Sequence, residues 1–294
     1  MLAETQNRTS LTRGALSTCG RARRRLHISI WRSVLATALV MVVGPGRVMA
    51  QRPLGIDVSD YQGSGINWAS VKASGVSFAW TKATEGTFST ASNFTVNEAN
   101  AQAAGVLIGA YDYARPDLDL GTAGADAEAA KFWSVAQNYV KGGGTYLVPM
   151  LDIEQAPGSS YSKASLSAWV NEWCQDIVND AAAVNVTVHP GVCTYSSYAT
   201  TWLDSTVTQW PLWMVSPNGQ SPQTGAPSGT SPWATWDFWL YSTTNSVPGI
   251  SGSCDVDVFN GTPTSLDLYV IPEPGTAFLL AIPVLLCVLQ RVRK

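Results

Sequence analysis

The chain has 294 residues, a length that fits one large domain or two ordinary ones. Only 13% of the residues are charged, about half the share of ~25% in an average globular protein. The formal net charge of −3 combines three unlike parts, with +7 in residues 1–50, −12 in residues 51–270 and +2 in residues 271–294. Because phosphate binding needs clustered Lys and Arg, this acidic body is not predicted to bind nucleic acid.

Residues 1–50 follow the pattern of a secretory leader. A basic stretch at residues 21–25 precedes an apolar run at residues 33–43, and Val48, Met49 and Ala50 follow it. Basic, apolar and small residues in this order are typical of a signal peptide. We therefore predict that residues 1–50 are a signal peptide and that the protein is exported. A buried N-terminal helix is the alternative reading of this segment.

Residues 51–268 alternate short apolar runs with stretches of helical periodicity, and no linker divides them. The apolar runs predict eight strands, at residues 54–58, 78–81, 105–113, 146–154, 187–195, 212–215, 236–241 and 256–259. Helical stripes lie between them; the first consists of Phe94, Val96, Ala99, Ala103 and Ala104, and the others fall within residues 129–139 and 166–178.

Strands that alternate with helices predict a parallel sheet, and eight strands suggest that the sheet closes. After Trp202 the helical stripes end, and short strands are joined by loops rich in Gly, Pro and Ser. The predicted fold is therefore α/β, a single irregular TIM-like β/α barrel with a helix-poor C-terminal third.

Residues 269–294 form a tail with three consecutive parts. Ile-Pro-Glu-Pro-Gly at residues 271–275 interrupts regular structure, residues 276–289 are almost wholly apolar, and the chain ends on Arg-Val-Arg-Lys. A helix of about 14 residues spans roughly 21 Å, short of a ~30 Å hydrocarbon core, although the basic end favours a membrane-engaged tail. The arrangement resembles the PEP-CTERM sorting signal, which implies export and processing by an exosortase-type protease. An ordinary tail anchor is the alternative.

The body offers few histidine or cysteine ligands for a metal. His189 is its one histidine, and its cysteines are Cys174, Cys193 and Cys254, with no CxxC spacing. These counts do not favour a zinc site, and no Gly-rich phosphate loop is present. No metal or organic cofactor is therefore expected. Three cysteines allow at most one internal disulfide, and its pairing stays open.

Acidic residues stand at the strand ends where a β/α barrel builds its site. Asp57 follows the first apolar run, Asp152 and Glu154 end the fourth, and Asp255 opens the last. Residues i and i+2 of a strand face one way, so Asp152 and Glu154 are expected about 6–7 Å apart. Two such carboxyls raise the pKa of one of them, as a glycosidase requires of its proton donor. A solvated strand end is the alternative reading of Asp-x-Glu.

Several motifs occur in an order that resembles the glycoside hydrolase family 25 lysozymes, the Chalaropsis-type N-acetylmuramidases. They are Gly-Ile-Asp-Val-Ser-Asp-Tyr-Gln-Gly at residues 55–63, Lys-Ala-Thr-Glu-Gly at 82–86, Leu-Asp-Ile-Glu at 151–154, and Asp255 with Phe-Asn-Gly at 259–261. The resemblance spans residues 54–261. It implies an irregular barrel of eight strands and about five helices, in agreement with the helix-poor final third.

The resemblance also implies roles for the acidic residues. Glu154 would be the general acid, and Asp152 would assist the substrate's own 2-acetamido group in a retaining cleavage. Asp57 and Asp255 would complete an acidic pocket. The candidates for substrate binding are Tyr111, Asp112, Trp213, Trp239 and Tyr241. Core packing is an equal alternative for the four aromatic residues, and Asp112 stands where the family usually has His.

The function expected from these features is an exported lysozyme. It would hydrolyse the β-1,4 bond between N-acetylmuramic acid and N-acetylglucosamine in peptidoglycan strands. Two alternatives stay open at this point, a glycosidase that acts on an amino-sugar exopolysaccharide and a non-catalytic protein that binds cell wall or matrix. The expected locations are the periplasm, the outer surface or the extracellular matrix, with the tail in the membrane before processing.

Overall fold

The computed structural model describes residues 51–158 and 161–273. The predicted signal peptide and residues 274–294 of the predicted sorting tail lie outside this part of the chain. Among the described residues, no helix is both long and apolar enough to cross a membrane.

The described chain contains nine strands and six α-helices. The strands are β1 (Leu54–Val58), β2 (Val76–Glu85), β3 (Ser89–Thr90), β4 (Leu107–Tyr113), β5 (Met150–Asp152), β6 (Gly191–Tyr195), β7 (Leu212–Val215), β8 (Phe238–Asn245) and β9 (Cys254–Phe259). The helices are α1 (Trp68–Ala73), α2 (Phe94–Ala103), α3 (Gly121–Lys141), α4 (Lys163–Ala183), α5 (Ser196–Trp202) and α6 (Pro263–Leu266).

Eight of the strands form a closed barrel in the order β1, β9, β8, β7, β6, β5, β4, β2, and the pairing of β1 with β2 closes it. Neighbours from β1 through β8 are parallel, whereas β9 runs antiparallel to both β1 and β8. The start of β9 therefore lies at the same end of the barrel as the carboxyl ends of the parallel strands. The predicted α/β barrel, irregular and TIM-like, is confirmed.

All eight predicted strands are present, with shifted bounds. The fourth is the most shortened, because only Met150–Asp152 pairs as a strand and Tyr146 forms an isolated bridge with Ile108. The additional strand β3 pairs antiparallel with the end of β2 and lies outside the barrel. Helices α1, α5 and α6 have 6, 7 and 4 residues, too few turns to give a periodic signal.

The prediction that the apolar stripe of α2 is its buried face is wrong. Val96, Ala99 and Ala103 face solvent, while the buried residues are Phe94, Asn97, Glu98 and Ala101. Their spacing of three and four residues is that of a helix face. The helix thus presents two polar side chains to the barrel, which a search for apolar periodicity does not find.

Aromatic side chains fill the interior of the barrel. The ring of Trp80 stacks on Trp213 at 4.9 Å and meets Phe238 edge-on at 4.6 Å, and Phe78 contacts both Trp80 and Phe238 at 5.5 Å. Gly55 makes room for this packing, because a Cβ there would lie 2.1 Å from the Phe78 ring. The resulting core is closely packed, and these four rings are buried.

The opposite end of the barrel is covered by the segment that follows α6. The amide of Ile271 donates to the Tyr146 carbonyl, and the Val148 amide donates to the Tyr269 carbonyl. Ile271 is fully buried. The described chain therefore stays part of the barrel up to this residue.

Glu98 is a fully buried acid whose two carboxyl oxygens have no hydrogen-bond partner within the described residues. Burial raises its pKa well above the ordinary value of 4.5. The folded state therefore holds a proton that the unfolded state releases above pH 4.5, and stability falls as the pH rises above that value. The slope is about 1.4 kcal/mol per pH unit until the folded-state pKa is reached.

We predict that Glu98→Gln raises the melting temperature at pH 8 and has a much smaller effect at pH 5, because the amide has no proton to release. Thermal unfolding of the wild-type and variant proteins from pH 5 to 8 measures the difference. The surface variant Asp267→Asn is the control and should keep the wild-type dependence. An equal dependence on pH in wild type and Glu98→Gln would contradict the prediction.

Candidate active site

The closure of the barrel brings two of the predicted acids side by side. Asp57 lies near the carboxyl end of β1, and Asp255 lies at the start of the antiparallel β9. The register places them directly opposite each other. Cα atoms of directly opposed antiparallel residues are about 4.5–5.5 Å apart, so both carboxyls share one corner of the barrel mouth.

The other two predicted acids follow β5. Asp152 is the last residue of this strand and pairs with Tyr113 of β4 and Cys193 of β6. Ile153 is fully buried, while Asp152 and Glu154 are partly exposed. Exposure therefore alternates along residues 152–154, with the two acids partly exposed and the apolar residue between them buried, as the sequence pattern predicts.

Asp257 is a fifth acid of this cluster, which the predicted site does not include. It is fully buried two residues beyond Asp255, and the Trp213 indole donates to its Oδ1 at 2.8 Å. Its Oδ2 has no partner in the part of the chain that the structure describes. Alternation along β9 is the signal that could have found it, because residues 255 and 257 of a strand face one way.

Burial raises the pKa values of all five carboxyls, and repulsion from neighbouring carboxylates adds to it for the four other than Asp255. Burial is the largest cause for Asp57, Asp152 and Asp257, whose pKa values lie well above 3.8, and neighbouring carboxylates raise them further. Burial and then the charge of Asp255 raise the pKa of Glu154 to about 7. Burial raises the pKa of Asp255 to about 6.

Lys82 brings a positive charge to this end of the barrel. Its charge lowers the pKa of Asp152, against the larger effects of burial and of Glu154. Its ammonium group binds Glu85 and lies 4.6 Å from the centre of the Tyr113 ring. Because Lys82 is already paired, it offsets only part of the repulsion among the acids.

Three of the predicted substrate-binding residues are buried in the core. Trp213 is 2% exposed and Trp239 0%, and the Trp239 indole donates to the Ser216 carbonyl at 2.9 Å. Asp112 is fully buried and accepts from Thr84 Oγ1 at 2.6 Å and from the indole of Trp173 at 3.0 Å. None of the three has a free surface for a glycan, so the structure corrects these expectations to core packing.

The two predicted tyrosines line cavities at the barrel mouth. Tyr111 borders a cavity of about 420 Å³ together with Asp57, Tyr61 and Asp255. Tyr241 borders a neighbouring cavity of about 350 Å³. Thr243 lines both cavities, so the open surface continues from the acids across β8.

Among the described residues, one group of acids has the spacing to hold a metal ion, formed by Asp126, Glu172 and Asp176. It lies on the outer helices α3 and α4 and is solvent-accessible. The thiols of Cys174, Cys193 and Cys254 are free and buried.

Comparisons with known proteins agree with this architecture. The model of the glycosyl hydrolases family 25 matches residues 56–250. Lysozyme M1 of Streptomyces globisporus is 35% identical over 218 residues, which cover 72% of this chain and 69% of that protein. The autolytic lysozyme of Clostridium acetobutylicum is 31% identical over 206 residues, covering 70% of this chain and 55% of that protein.

A solved structure supports the same relationship. The crystal structure of the bacterial lysozyme from Streptomyces coelicolor matches with a TM-score of 0.63 at 34% identity, over 74% of this chain and 97% of that one. The family match and these relatives, together with the acids clustered at the carboxyl ends of the barrel strands, show that the protein is a glycoside hydrolase. The chain belongs to glycosyl hydrolase family 25.

Proposed function

We propose that this protein is a muramidase that hydrolyses the β-1,4 bond between N-acetylmuramic acid and N-acetylglucosamine in peptidoglycan. The observation that carries the proposal is the placement of Asp152 and Glu154 together at the carboxyl end of β5, in a chain of glycosyl hydrolase family 25. Burial and the charge of Asp255 also raise the pKa of Glu154 to about 7. A carboxyl that keeps its proton near neutral pH can donate it to a leaving oxygen. The lysozyme relatives do not favour the exopolysaccharide or the non-catalytic alternative.

Glu154 acts as the general acid in this proposal. It donates its proton to the glycosidic oxygen as the bond from that oxygen to the anomeric carbon breaks. The carbonyl oxygen of the substrate's 2-acetamido group attacks the anomeric carbon from the opposite face and forms a cyclic oxazolinium ion. Glu154, now ionised, takes a proton from water, and the hydroxide opens the ring with net retention.

Asp152 positions the acetamido group and stabilises the charge that develops on it. Asp152 is partly exposed, and its buried Oδ1 has no hydrogen-bond partner in residues 51–158 and 161–273, so a rotation of the carboxyl group makes this acceptor available to the acetamido N–H. The charge of Lys82 offsets part of the rise in the pKa of Asp152, but burial and Glu154 outweigh it. Asp57, whose Oδ2 has no partner among the described residues, and Asp255 complete the pocket. Burial and the charge of Asp255 hold the pKa of Glu154 high.

The proposal includes export to the cell wall. One support for export is the order of basic, apolar and small residues at 1–50, which is typical of a signal peptide. The other is that two relatives are named lysozymes, enzymes whose substrate is the cell wall. The Pro-Glu-Pro motif, the apolar run and the basic end of residues 271–294 support a sorting tail of the PEP-CTERM type. In this proposal the tail engages the membrane before an exosortase-type protease processes it.

We predict that Glu154→Gln folds normally and lowers the release of muropeptides from purified sacculi by at least about 100-fold, because the amide cannot donate the required proton. Mass spectrometry of borohydride-reduced digests measures both the yield and the sugar at the new reducing end. Asp267→Asn, in the exposed segment that follows α6, is the control and should keep wild-type activity. Near-wild-type release by Glu154→Gln, or a reducing N-acetylglucosamine, would overturn the proposal.

The pKa values of the cluster predict how activity depends on pH. The kcat/KM for hydrolysis should fall as the pH rises through about 7, because Glu154 then loses its proton. Asp255→Asn removes a negative charge that raises this pKa, so the alkaline limb of its residual activity should move to lower pH. Initial rates on solubilised peptidoglycan from pH 4 to 9 give the alkaline limb for the wild type and for Asp255→Asn. An alkaline limb that stays in place or moves upward in Asp255→Asn would disagree with the assignment.

A further inference from the structure

Tyr61 is a large aromatic residue that the proposed mechanism does not use. Its side chain is 83% exposed, although a tyrosine ring usually lies at least partly against other apolar groups. It borders the cavity of about 420 Å³ that also contains Asp57 and Asp255. No ring contact and no hydrogen bond of its hydroxyl group are found within the described residues. The exposed ring face therefore opens beside the acids.

The loop that carries Tyr61 is held in place on one side by Asp60. This carboxylate accepts from the amide and hydroxyl groups of Ser92 at 2.9 and 3.1 Å. It also accepts from the amide and side-chain nitrogens of Asn93 at 2.8 and 2.9 Å. Partial burial raises the pKa of Asp60, but these hydrogen bonds outweigh it and leave the pKa below 3.8. Asp60 thus fastens the loop after β1 to the residues before α2.

Gln62 holds the same loop on the other side. Its Oε1 accepts from the Ser59 amide at 2.9 Å, and its Nε2 donates to the Ser253 carbonyl at 3.4 Å. The Tyr61 amide donates to Ser59 Oγ at 3.2 Å. Both neighbours of Tyr61 are therefore tied down, and its backbone is held in a turn. A fixed backbone limits the positions that the Tyr61 ring can take, which lowers the conformational entropy lost when a ligand covers it.

We propose that Tyr61 is a stacking platform for a sugar ring of the glycan strand, at a subsite on the Asp57 and Asp255 side of the cleavage point. The ring supplies a flat apolar face, and Ser59, Thr243 and Ser253 line the same cavity with hydrogen-bonding groups. An apolar face with a few polar groups around it is the chemistry that binds a pyranose. This inference rests on the proposed function, because it takes the cluster of five acids at the barrel mouth as the place of cleavage.

The test measures binding in the inactive Glu154→Gln background, with the tetrasaccharide of alternating N-acetylglucosamine and N-acetylmuramic acid as the ligand. Tyr61→Ala should weaken the Kd about 3- to 10-fold, as expected from the loss of one aromatic stack. Tyr61→Phe and Tyr61→Trp keep the ring and should bind within about twofold of the background. In the active enzyme Tyr61→Ala should raise KM and leave kcat nearly unchanged.

Leu268→Ala is the matched control, because Leu268 is 82% exposed and borders a different cavity, at the amino-terminal end of β7. It should bind the tetrasaccharide as the background does. Unchanged binding by Tyr61→Ala, or an equal loss in Tyr61→Phe, would overturn the stacking role. Should Tyr61→Ala not fold, a tenfold loss in both Tyr61→Phe and Tyr61→Trp would overturn it instead. If the single variant Glu154→Gln cleaved the tetrasaccharide, the proposed function would be overturned. Analysis of the reaction products detects this cleavage independently of the binding measurement.

Discussion

Five carboxyl groups share one poorly solvated end of a closed barrel, and the free-energy cost of charging them there is the constraint on which the site depends. The topology imposes it, because the antiparallel β9 brings Asp255 and Asp257 next to β1 and Asp57. The aromatic interior below excludes water and so keeps the cost high. Folding therefore sets the protonation states that a glycosidase needs, at the expense of stability at higher pH.

The fold could be predicted largely from the sequence, because the barrel strands are apolar runs separated by helices or turns. The exceptions have physical causes. The strand β3 has two residues, and α1, α5 and α6 are too short for periodicity to be visible. In α2 the tertiary structure overrides the apolar pattern, since Asn97 and Glu98 face the core while Val96 faces solvent. Glu98 has no hydrogen-bond partner among the described residues, and burying such an acid is too costly for an apolar pattern to predict it.

The candidate site could be predicted only in part. The position of the four acids at one end of the barrel could be predicted, because strand ends and i, i+2 spacing have a direct structural meaning. Their catalytic roles stay a prediction that follows from the family resemblance. Sequence could not tell which aromatic rings face the cleft, since Trp on a barrel strand packs inward or outward according to its neighbours. Trp213 fills the interior and supports Asp257, whereas Tyr61 on a loop remains uncovered. Burial depends on the assembled barrel, so it removes Trp213 from the candidates for glycan contact and leaves the Tyr61 ring exposed.

The central claim is that burial and mutual repulsion hold the acids of this cluster protonated far above their ordinary range. The most direct test is a ¹³C NMR titration that follows the side-chain carboxyl resonances of Asp57, Asp152 and Asp257 in the folded protein. The account predicts that all three titrate with midpoints well above 3.8. Midpoints at or below 3.8 for these three carboxyls would contradict it.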